Sequence, residues 1–309
     1  MKLLIVHSGN AVQGDSQRYT FVREQGEQLR ALGAEVEYFA VVGKGAMGYL
    51  SNYKRLKHVI KTYQPDLIHA HFGLCGALCV LQSKVPVVIT CHNGETLTKY
   101  GNIITSLAIQ RAAYTICVAQ HIYDKLYLKP KNYTIKPCGI EVTDIVDKDL
   151  AKQKMGLPND QYNILFGGSF SNLRKNVALA NAALEILHRD DINLIEMKGF
   201  NREQVTLLYN ACDMLLLPTK SEGSPQVLKE AMAYNCPVVA TDVADIAYLL
   251  DGVSNSYVTS FDPQDVADKI SRVLECGQRT NGRERIEKLK LENNQVAKII
   301  YSIYQQVLS

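Results

Sequence analysis

Two glutamates, Glu222 and Glu230, stand eight positions apart around a Gly-Ser-Pro turn in the segment SEGSPQVLKEAMAYNCPVVATDV, residues 221–243. Ser224 suits a helix N-cap and Pro225 suits the first helical position, so we expect a helix to begin here. Free backbone N–H groups at a helix start attract anions, and carboxylates accept paired hydroxyls such as those of a sugar or a ribose. The alternative is that Glu222 only interacts with the helix dipole and that Glu230 lies on the surface.

A second loop places two cations where a helix is predicted to start. In FGGSFSNLRKNVALANAALEIL, Gly167 and Gly168 end a predicted strand, and Arg174 and Lys175 come just before the next helix. Cations at a helix N-terminus oppose the helix dipole unless an anion is bound there. The pattern therefore favours a diphosphate site over a merely solvated helix end.

Histidines follow or occupy two predicted strands of the amino-terminal half. His92 and Asn93 come directly after the apolar run VVIT-Cys, where ligands of open α/β sheets bind. His69 and His71 share one strand face, but no third residue has the spacing of a metal ligand. A metal site is therefore not expected. A serine nucleophile is not expected either, because the chain has no GxSxG elbow.

Short β-branched runs alternate with segments of helical periodicity throughout the chain. This alternation predicts parallel sheets with helices on both faces, and 309 residues are enough for two α/β domains. The polar segment 142–160 contains no strand, so we place the division at residues 1–155 and 156–309. Residues 43–48 are predicted to be a loop, residues 130–141 loops or an edge strand, and residues 278–309 a long polar helical region.

Composition excludes several classes of protein. Lys and Arg total 34 against 31 Asp and Glu, without the dense basic stripe of a nucleic-acid binder. The eight cysteines form no CxxC pair and most lie in apolar runs, which is typical of reduced thiols in a cytosolic protein. The start MKLLIVHSGN predicts a first strand, not a signal peptide, and no run reaches transmembrane length.

One predicted helix, YLSNYKRLKHVIKTY, carries a basic face. Lys54, Lys57, His58 and Lys61 lie together on it, which would suit an anionic membrane surface. An ordinary solvated helix packed on a sheet is the more frequent meaning of such a pattern. Contact with the inner face of the membrane is therefore a secondary expectation.

The segment 221–243 and several other blocks of the chain together form a longer pattern. EGSPQVLKEAMA followed by PVVATDV resembles the signature of the family 4 glycosyltransferases, which are retaining enzymes of the GT-B fold. The blocks DLIHAHFG, VPVVITCHNGE, KPCGIE and YNACDMLLLPTKSEG resemble family blocks in the expected order, over nearly the whole chain. The resemblance implies an α/β, GT-B fold of two Rossmann-like domains facing across a cleft, with a C-terminal helix returning toward the N-terminal domain.

The resemblance also implies roles for residues that match by position. Glu230 corresponds to the residue that binds the nucleotide ribose, and Glu222 to the one that touches the donor sugar. Arg174 and Lys175 match the basic residues at the diphosphate, and His92 matches a histidine near the transferred sugar. His92 and Glu222 are thus the expected catalytic residues. Further substrate contacts are implied at Gly14, Asn93, Gly168, Lys198, Gly199, Phe200, Gly223, Ser224, Pro225 and Gln226, with the nucleobase at residues 198–200.

The chain departs from the family pattern at a few positions. Ser169 stands where many relatives have an arginine, and Asn176 and Asn235 stand where glycine is common. The run TDVAD lacks the usual glycine before its acid. The stretch between the Arg174 helix and INLIEMKG is short, as if one strand–helix unit were missing or compacted.

The expected function is transfer of a sugar, with retention, from a UDP- or GDP-sugar to a glycan or lipid-linked acceptor in bacterial surface polysaccharide biosynthesis. The expected location is the cytoplasm. No metal and no cofactor are expected, because the nucleotide-sugar is a substrate and Arg, Lys and helix amides neutralise the diphosphate. Two alternatives stay open: a nucleotide-sugar epimerase of the same fold, and a non-catalytic nucleotide-sugar-binding partner subunit.

Overall fold

The computed structural model describes residues 1–9, 20–43 and 45–309, without the side chains of Ala46 and Glu95. The described chain divides into two compact units. The first unit consists of Met1–Gly139 together with Asn293–Ser309, and the second consists of Ile140–Glu292.

The first unit is built on a parallel sheet of six strands in the order β2-β1-β3-β4-β5-β6. All five residues of β3 and of β4 are buried, because helices cover both faces of the sheet. The elements are β1 (Lys2–Ser8), α1 (Thr20–Ala31), β2 (Glu35–Val41), α2 (Gly45–Leu50), α3 (Tyr53–Tyr63), β3 (Leu67–His71), α4 (Gly73–Cys79), β4 (Val87–Cys91), α5 (Lys99–Ile109), β5 (Tyr114–Cys117), α6 (Gln120–Lys125) and β6 (Tyr133–Ile135).

The second unit has a parallel sheet of five strands in the order β11-β10-β9-β7-β8. The loops after β7, β8 and β9 leave the sheet at its carboxyl edge, side by side. The elements are α7 (Lys148–Met155), β7 (Tyr162–Phe166), α8 (Val177–Leu187), β8 (Ile192–Glu196), α9 (Arg202–Ala211), β9 (Met214–Leu217), α10 (Gln226–Ala233), β10 (Val238–Thr241), α11 (Ile246–Leu250), β11 (Tyr257–Thr259), α12 (Pro263–Cys276) and α13 (Gly282–Lys288).

The last helix, α14 (Asn293–Leu308), belongs to the first unit. Its buried residues lie in one apolar stripe that joins the core formed by β1, β3 and α1, namely Val296, Ile300, Ile303 and Tyr304. The C-terminal helix that the resemblance implied for the N-terminal domain is thus confirmed. The long polar helical region predicted at residues 278–309 is corrected, because α14 is amphipathic.

The division between the units also differs from the one expected at residue 155. Ile140 forms a bridge to Glu292 and is buried in the core of the second unit. Helix α7 packs against α9 of the same unit. The segment 142–155 is therefore part of the second unit, although it is polar and contains no strand.

Two local expectations are shifted. Helix α10 begins at Gln226, one residue later than predicted, because Pro225 has an extended ψ of 119° and occupies the N-cap position. Residues 45–50, expected in a loop, form the short helix α2. None of the helices in residues 1–9, 20–43 and 45–309 combines the length with the apolar character needed to traverse a lipid bilayer.

Candidate functional site

Three residues hold the carboxylate of Glu222 at the carboxyl edge of the second sheet. Lys175 Nζ donates to Glu222 Oε1 at 2.7 Å, and Thr219 Oγ1 donates to the same oxygen at 3.1 Å. A guanidinium nitrogen of Arg174 lies 3.6 Å from Glu222 Oε2. We call Arg174, Lys175, Thr219 and Glu222 the Glu222 cluster. It carries one excess positive charge, since two cations face one carboxylate.

Burial differs between the two cations of the Glu222 cluster. The side chain of Lys175 is 11% exposed and that of Arg174 is 45% exposed. The sequence argument held that cations before α8 need an anion from a ligand. The structure corrects that argument, because Glu222 supplies one negative charge from within the chain. An anionic ligand would therefore be attracted by the one excess positive charge of the cluster. Of the two cations, Arg174 is the one that such a ligand can reach from solvent.

Backbone hydrogen bonds fix the loops that carry the Glu222 cluster. The N–H of Lys220 donates to the carbonyl of Arg174 at 2.9 Å, which joins the loop after β9 to the loop after β7. Thr241 Oγ1, at the end of β10, donates to the carbonyl of Thr219 at 2.6 Å. Three neighbouring strands therefore position the cluster.

Gly168 leaves the space through which Lys175 reaches Glu222. A Cβ atom at Gly168 would lie 2.8 to 3.0 Å from three side-chain carbons of Lys175. Contacts that short do not occur between real carbon atoms, so any larger residue would displace the lysine. Gly168 therefore acts through Lys175.

The second glutamate of the signature has different partners. Arg202 donates to Glu230 Oε1 at 2.6 Å, and the Tyr209 hydroxyl donates to Glu230 Oε2 at 2.8 Å. Burial, reinforced by the Glu230 carboxylate, raises the pKa of Tyr209 well above its usual value, so Tyr209 stays protonated. The Glu230 side chain is 10% exposed, which contradicts the alternative that it is a surface residue. Each carboxylate oxygen has lone pairs for further donors, such as ribose hydroxyls.

The loop after β8 leads directly to Glu230. Lys198 is exposed, Gly199 has a left-handed φ of 82°, and Phe200 is half-buried against the core of the second unit. Asn201 then caps α9, whose first residue, Arg202, binds Glu230. The structure thus places the expected nucleobase segment two residues from a partner of the expected ribose-binding carboxylate.

Ser169 has a structural partner of its own. Its hydroxyl donates to Glu196 Oε1 at 2.7 Å, and the N–H of Phe170 donates to the same oxygen at 2.7 Å. These two hydrogen bonds lower the pKa of Glu196, and the bond from the Ser169 hydroxyl has the larger effect. Where many relatives have an arginine, this chain uses a serine to tie the loop after β7 to the end of β8.

The start of α10 lies beside a half-buried acid, Asp245, that sequence reasoning missed. Gly223, Ser224 and Gln226 are half-buried and Pro225 is buried. Burial raises the pKa of Asp245, an effect opposed by the neighbouring Ser224 hydroxyl and then by the positive charge of Lys229.

The first unit contains the remaining expected residues. His92 Nε2 lies 3.1 Å from His71 Nδ1, and the His92 ring lies among aromatic rings that include Phe21 and Phe72, with centroids at 5.1 and 4.6 Å. Asn93 is buried and has a φ of 120°, an uncommon backbone conformation for a residue other than glycine. Gly14 lies outside the described residues.

His69 and His71 do share one face of β3, as predicted, with ring centroids 4.4 Å apart. His69 Nε2 bonds Thr90 Oγ1 at 2.7 Å and His69 Nδ1 bonds the Tyr304 hydroxyl at 2.5 Å, so both ring nitrogens have partners. No group of three or more His, Cys, Asp or Glu side chains in the described part of the chain is arranged to hold a metal ion.

Sequence reasoning missed Arg202, Tyr209, Thr219 and Asp245. Arg202 and Asp245 follow strand ends, as the expected site residues do, so their position was a usable signal. Thr219 carried the same signal, because it comes two residues after the end of β9. Tyr209 gave no such signal, because it lies within α9 and its contact with Glu230 depends on how that helix packs.

Two family models match the chain. The model described as Glycosyltransferase Family 4 matches residues 23–144, and the one described as Glycosyl transferases group 1 matches residues 176–276. The chain belongs to the family 4 glycosyltransferases.

Curated relatives of this glycosyltransferase are moderately similar. It is 26% identical to an uncharacterized glycosyltransferase of Methanocaldococcus jannaschii, over 74% of this chain and 71% of the relative. It is 31% identical to the D-inositol 3-phosphate glycosyltransferase of Mycolicibacterium smegmatis, over 69% of this chain and 61% of that one. The glycosyltransferase TuaC of Bacillus subtilis, named for teichuronic acid biosynthesis, is 27% identical over 67% of this chain and 61% of its own. The chain thus spans about three fifths of the last two relatives.

Solved structures show the fold of this family 4 glycosyltransferase. Sucrose-phosphate synthase from Thermosynechococcus elongatus has a TM-score of 0.83 at 18% identity, over 99% of both chains. Anabaena HepE, solved in complex with UDP, has a TM-score of 0.77 at 16% identity, over 99% of this chain and 100% of that one. Both support the expected GT-B fold, with a parallel α/β sheet in each unit.

Proposed function

We propose that the chain transfers a hexosyl group, with retention, from a UDP- or GDP-sugar to a glycan or lipid-linked acceptor in the cytoplasm. The observation that carries the proposal is the Glu222 cluster, with its excess positive charge at the carboxyl edge of the second sheet. That edge is where open α/β sheets bind their ligands. Anabaena HepE, a structural relative, has been solved in complex with UDP and with UDP-glucose, which supports a uridine nucleotide as the first candidate.

The proposed donor fits the charges of the second unit. The diphosphate would contact Arg174, with Lys175 and the N-termini of α8 and α10 adding positive potential. The ribose hydroxyls would bind Glu230, and the nucleobase would lie against residues 198–200. Because these cations and amides can neutralise the leaving diphosphate, the proposal requires no metal ion.

The proposed reaction breaks the bond between the sugar C1 and the diphosphate oxygen and forms a bond between C1 and an acceptor oxygen on the same face. The acceptor's proton passes to the leaving phosphate oxygen. Glu222 would contact the sugar, and His92 would take the role that the family resemblance implies. The protein then acts mainly by positioning the reactants and stabilising developing charge on the diphosphate. The relative named for teichuronic acid biosynthesis supports a surface polysaccharide as the acceptor.

Ligand-induced thermal stabilisation tests the donor class. Wild type and Glu230→Gln would be screened against UDP, GDP, ADP, CMP and their sugar conjugates. A ligand at about one hundred times its dissociation constant stabilises a protein by roughly 2.7 kcal/mol. We expect one nucleotide class to raise the melting temperature of wild type and to raise that of Glu230→Gln much less.

Glu230→Gln also breaks the ion pair with Arg202, so the melting temperature of the variant can differ from that of wild type even without ligand. The measured quantity is therefore each protein's shift from its own ligand-free melting temperature. Glu275→Gln, an exposed change in α12, is the matched control and should respond like wild type. No stabilisation of wild type by any nucleotide would contradict the proposal. Release of free nucleotide and an altered sugar without acceptor would indicate the epimerase instead.

A further inference from the structure

Helix α5 in the first unit buries polar side chains and exposes apolar ones. Asn102, Thr105 and Ser106 lie on its buried side with Ala108 and Ile109, and all five are at most 4% exposed. On the opposite side, Tyr100 is 79% exposed and Leu107 is 58% exposed. A helix on the surface of a water-soluble protein normally shows the opposite arrangement.

Two of these inward polar residues, Asn102 and Ser106, are hydrogen bonded, whereas Thr105 Oγ1 has no hydrogen-bond partner among the described residues. Asn102 Nδ2 donates to the carbonyl of Lys125 at 2.7 Å, and Ser106 Oγ donates to Asn102 Oδ1 at 3.0 Å. The N–H of Tyr127 lies 3.2 Å from Asn102 Oδ1 and 3.1 Å from Ser106 Oγ. These bonds hold the segment after α6 alongside α5.

Apolar side chains are exposed on α5, on the turn before it and on the segment that packs alongside it. Exposed residues of α5, of the turn before it and of the adjoining segment together form what we call the α5 face. Its members are Leu97, Tyr100, Ile103, Leu107, Tyr127 and Leu128, between 37% and 79% exposed. Exposed apolar side chains that are contiguous and rimmed by polar ones mark interaction sites.

The border of the α5 face is basic. Between residues 97 and 131 the chain has five basic residues and one acid, Asp124. The basic ones are all exposed, namely Lys99, Arg111, Lys125, Lys129 and Lys131. Helix α3, by contrast, has exposed lysines but buries Leu56 and packs Val59 and Ile60 against the core, so it presents no apolar face.

We propose that the α5 face docks on an anionic lipid bilayer. Aromatic and aliphatic side chains would enter the boundary between headgroups and acyl chains, and the basic border would contact lipid phosphates. A second copy of the chain fits less well, because two basic borders would be brought together. A bilayer also fits a lipid-linked acceptor, but the docking itself needs neither donor nor turnover.

Vesicle flotation tests the proposal without any glycosyl transfer. The full chain would be mixed with vesicles of phosphatidylcholine alone or of phosphatidylcholine with phosphatidylglycerol. We expect binding to the anionic vesicles, weakened at least about tenfold by Tyr100→Ser with Leu107→Ser, because binding scales with buried apolar area. Lys99→Gln and Lys131→Gln should each weaken binding roughly fivefold at low salt.

The matched control is Tyr248→Ser with Phe261→Ser, two exposed aromatic residues of the second unit. This variant should bind vesicles like wild type, and the melting temperature of each variant checks its folding. Failure of wild type to bind anionic vesicles would overturn the proposal. So would equal binding to neutral vesicles, or an unchanged affinity in the α5 variant. Self-association that the α5 variant abolishes, without vesicle binding, would assign the face to a second copy.

Discussion

At the scale of single residues, the two glutamates of the signature are both buried but have different partners. Glu222 neutralises one of the two cations in front of α8, whereas Glu230 is held by Arg202 and Tyr209 of α9. The charge of Glu222 therefore sets the net charge where we propose that the diphosphate binds. Glu230 is independent of that balance, because neither of its partners belongs to the Glu222 cluster.

This arrangement leads to opposite expectations for binding and turnover in Glu222→Gln. Glutamine keeps the shape but leaves Arg174 and Lys175 with a second uncompensated positive charge. We expect the affinity for the nucleoside diphosphate to rise several-fold, because the added positive charge favours an anion. Turnover should fall by about two orders of magnitude, since the contact that we propose between Glu222 and the reacting sugar is lost. Isothermal titration calorimetry and initial rates measure the two effects.

Lys175→Gln provides the comparison, because it removes a cation from the same cluster and should weaken nucleotide binding. Both variants disrupt a buried ion pair, so both need measurement well below their melting temperatures. If Glu222→Gln weakened nucleotide binding as much as Lys175→Gln, the carboxylate would only support the fold.

At the scale of elements, three departures from the family sequence meet the same backbone requirement. Asn176 before α8, Asn235 after α10 and Ala244 after β10 have φ values of 61°, 52° and 59°. The family resemblance implies glycine at these positions, and glycine adopts the left-handed region without a steric penalty. Asparagine tolerates that region, but alanine is strained there by roughly 1–2 kcal/mol.

Ala244→Gly should therefore stabilise the protein. The relief of strain exceeds the entropic cost of adding a glycine, so we expect a gain of about 1 kcal/mol in the free energy of unfolding. Urea titration monitored by circular dichroism measures it. Asn176→Gly is the control and should change stability less, because asparagine is already compatible with the turn. A loss of stability in Ala244→Gly would contradict the prediction, because it would show that the relief of strain is smaller than the cost of introducing glycine.

At the scale of the whole molecule, the first unit is assembled from two distant parts of the chain. The Tyr304 hydroxyl of α14 is hydrogen bonded to Nδ1 of His69 in β3, 235 positions away, and Gln25 Nε2 lies 3.3 Å from the same nitrogen. Burial, and to a smaller extent the nearby His92, lowers the pKa of His69 to about 3. The imidazole is thus neutral in the folded unit.

This neutral histidine makes the first unit sensitive to acid. The folded pKa of about 3 lies below the ordinary value of 6.5, so the stabilisation is complete above pH 6.5 and is lost as the pH falls toward 3. In that window, protonation of His69 in the unfolded chain should lower the free energy of unfolding by about 1.4 kcal/mol for each unit by which the pH falls. His71, whose pKa is also lowered by burial, should add to this slope.

His69→Gln should remove its share of the slope, because glutamine does not titrate. Urea titrations between about pH 4 and pH 7 would measure the slope, with hydrogen exchange of β3 reporting on the first unit. His58→Gln, an exposed change in α3, should leave the slope unchanged. An unaltered slope in His69→Gln would contradict this prediction, because it would mean that folding does not lower the pKa of His69.

Several elements could be predicted from the sequence because their signals are local. The strands around Leu67–His71, Val87–Cys91 and Met214–Leu217 read as apolar runs, and the order of such runs indicated two α/β units. The start of α10 was predicted one residue too early, because the local sequence does not specify the extended backbone of Pro225. Helix α14 was expected to be polar, because its apolar residues are spaced at helical intervals among polar ones.

The sequence by itself determined the α/β class, the family, and the positions at strand ends where Glu222, Arg174 and Lys175 would meet. Strand ends in a parallel sheet share one edge, so this part of the site follows from element order alone. Only the tertiary structure decided that Glu222 pairs with Lys175, that Arg202 and Tyr209 hold Glu230, and which residues of α14 pack into the core of the first unit. Those contacts depend on side-chain packing between segments far apart in the chain, which no local spacing specifies.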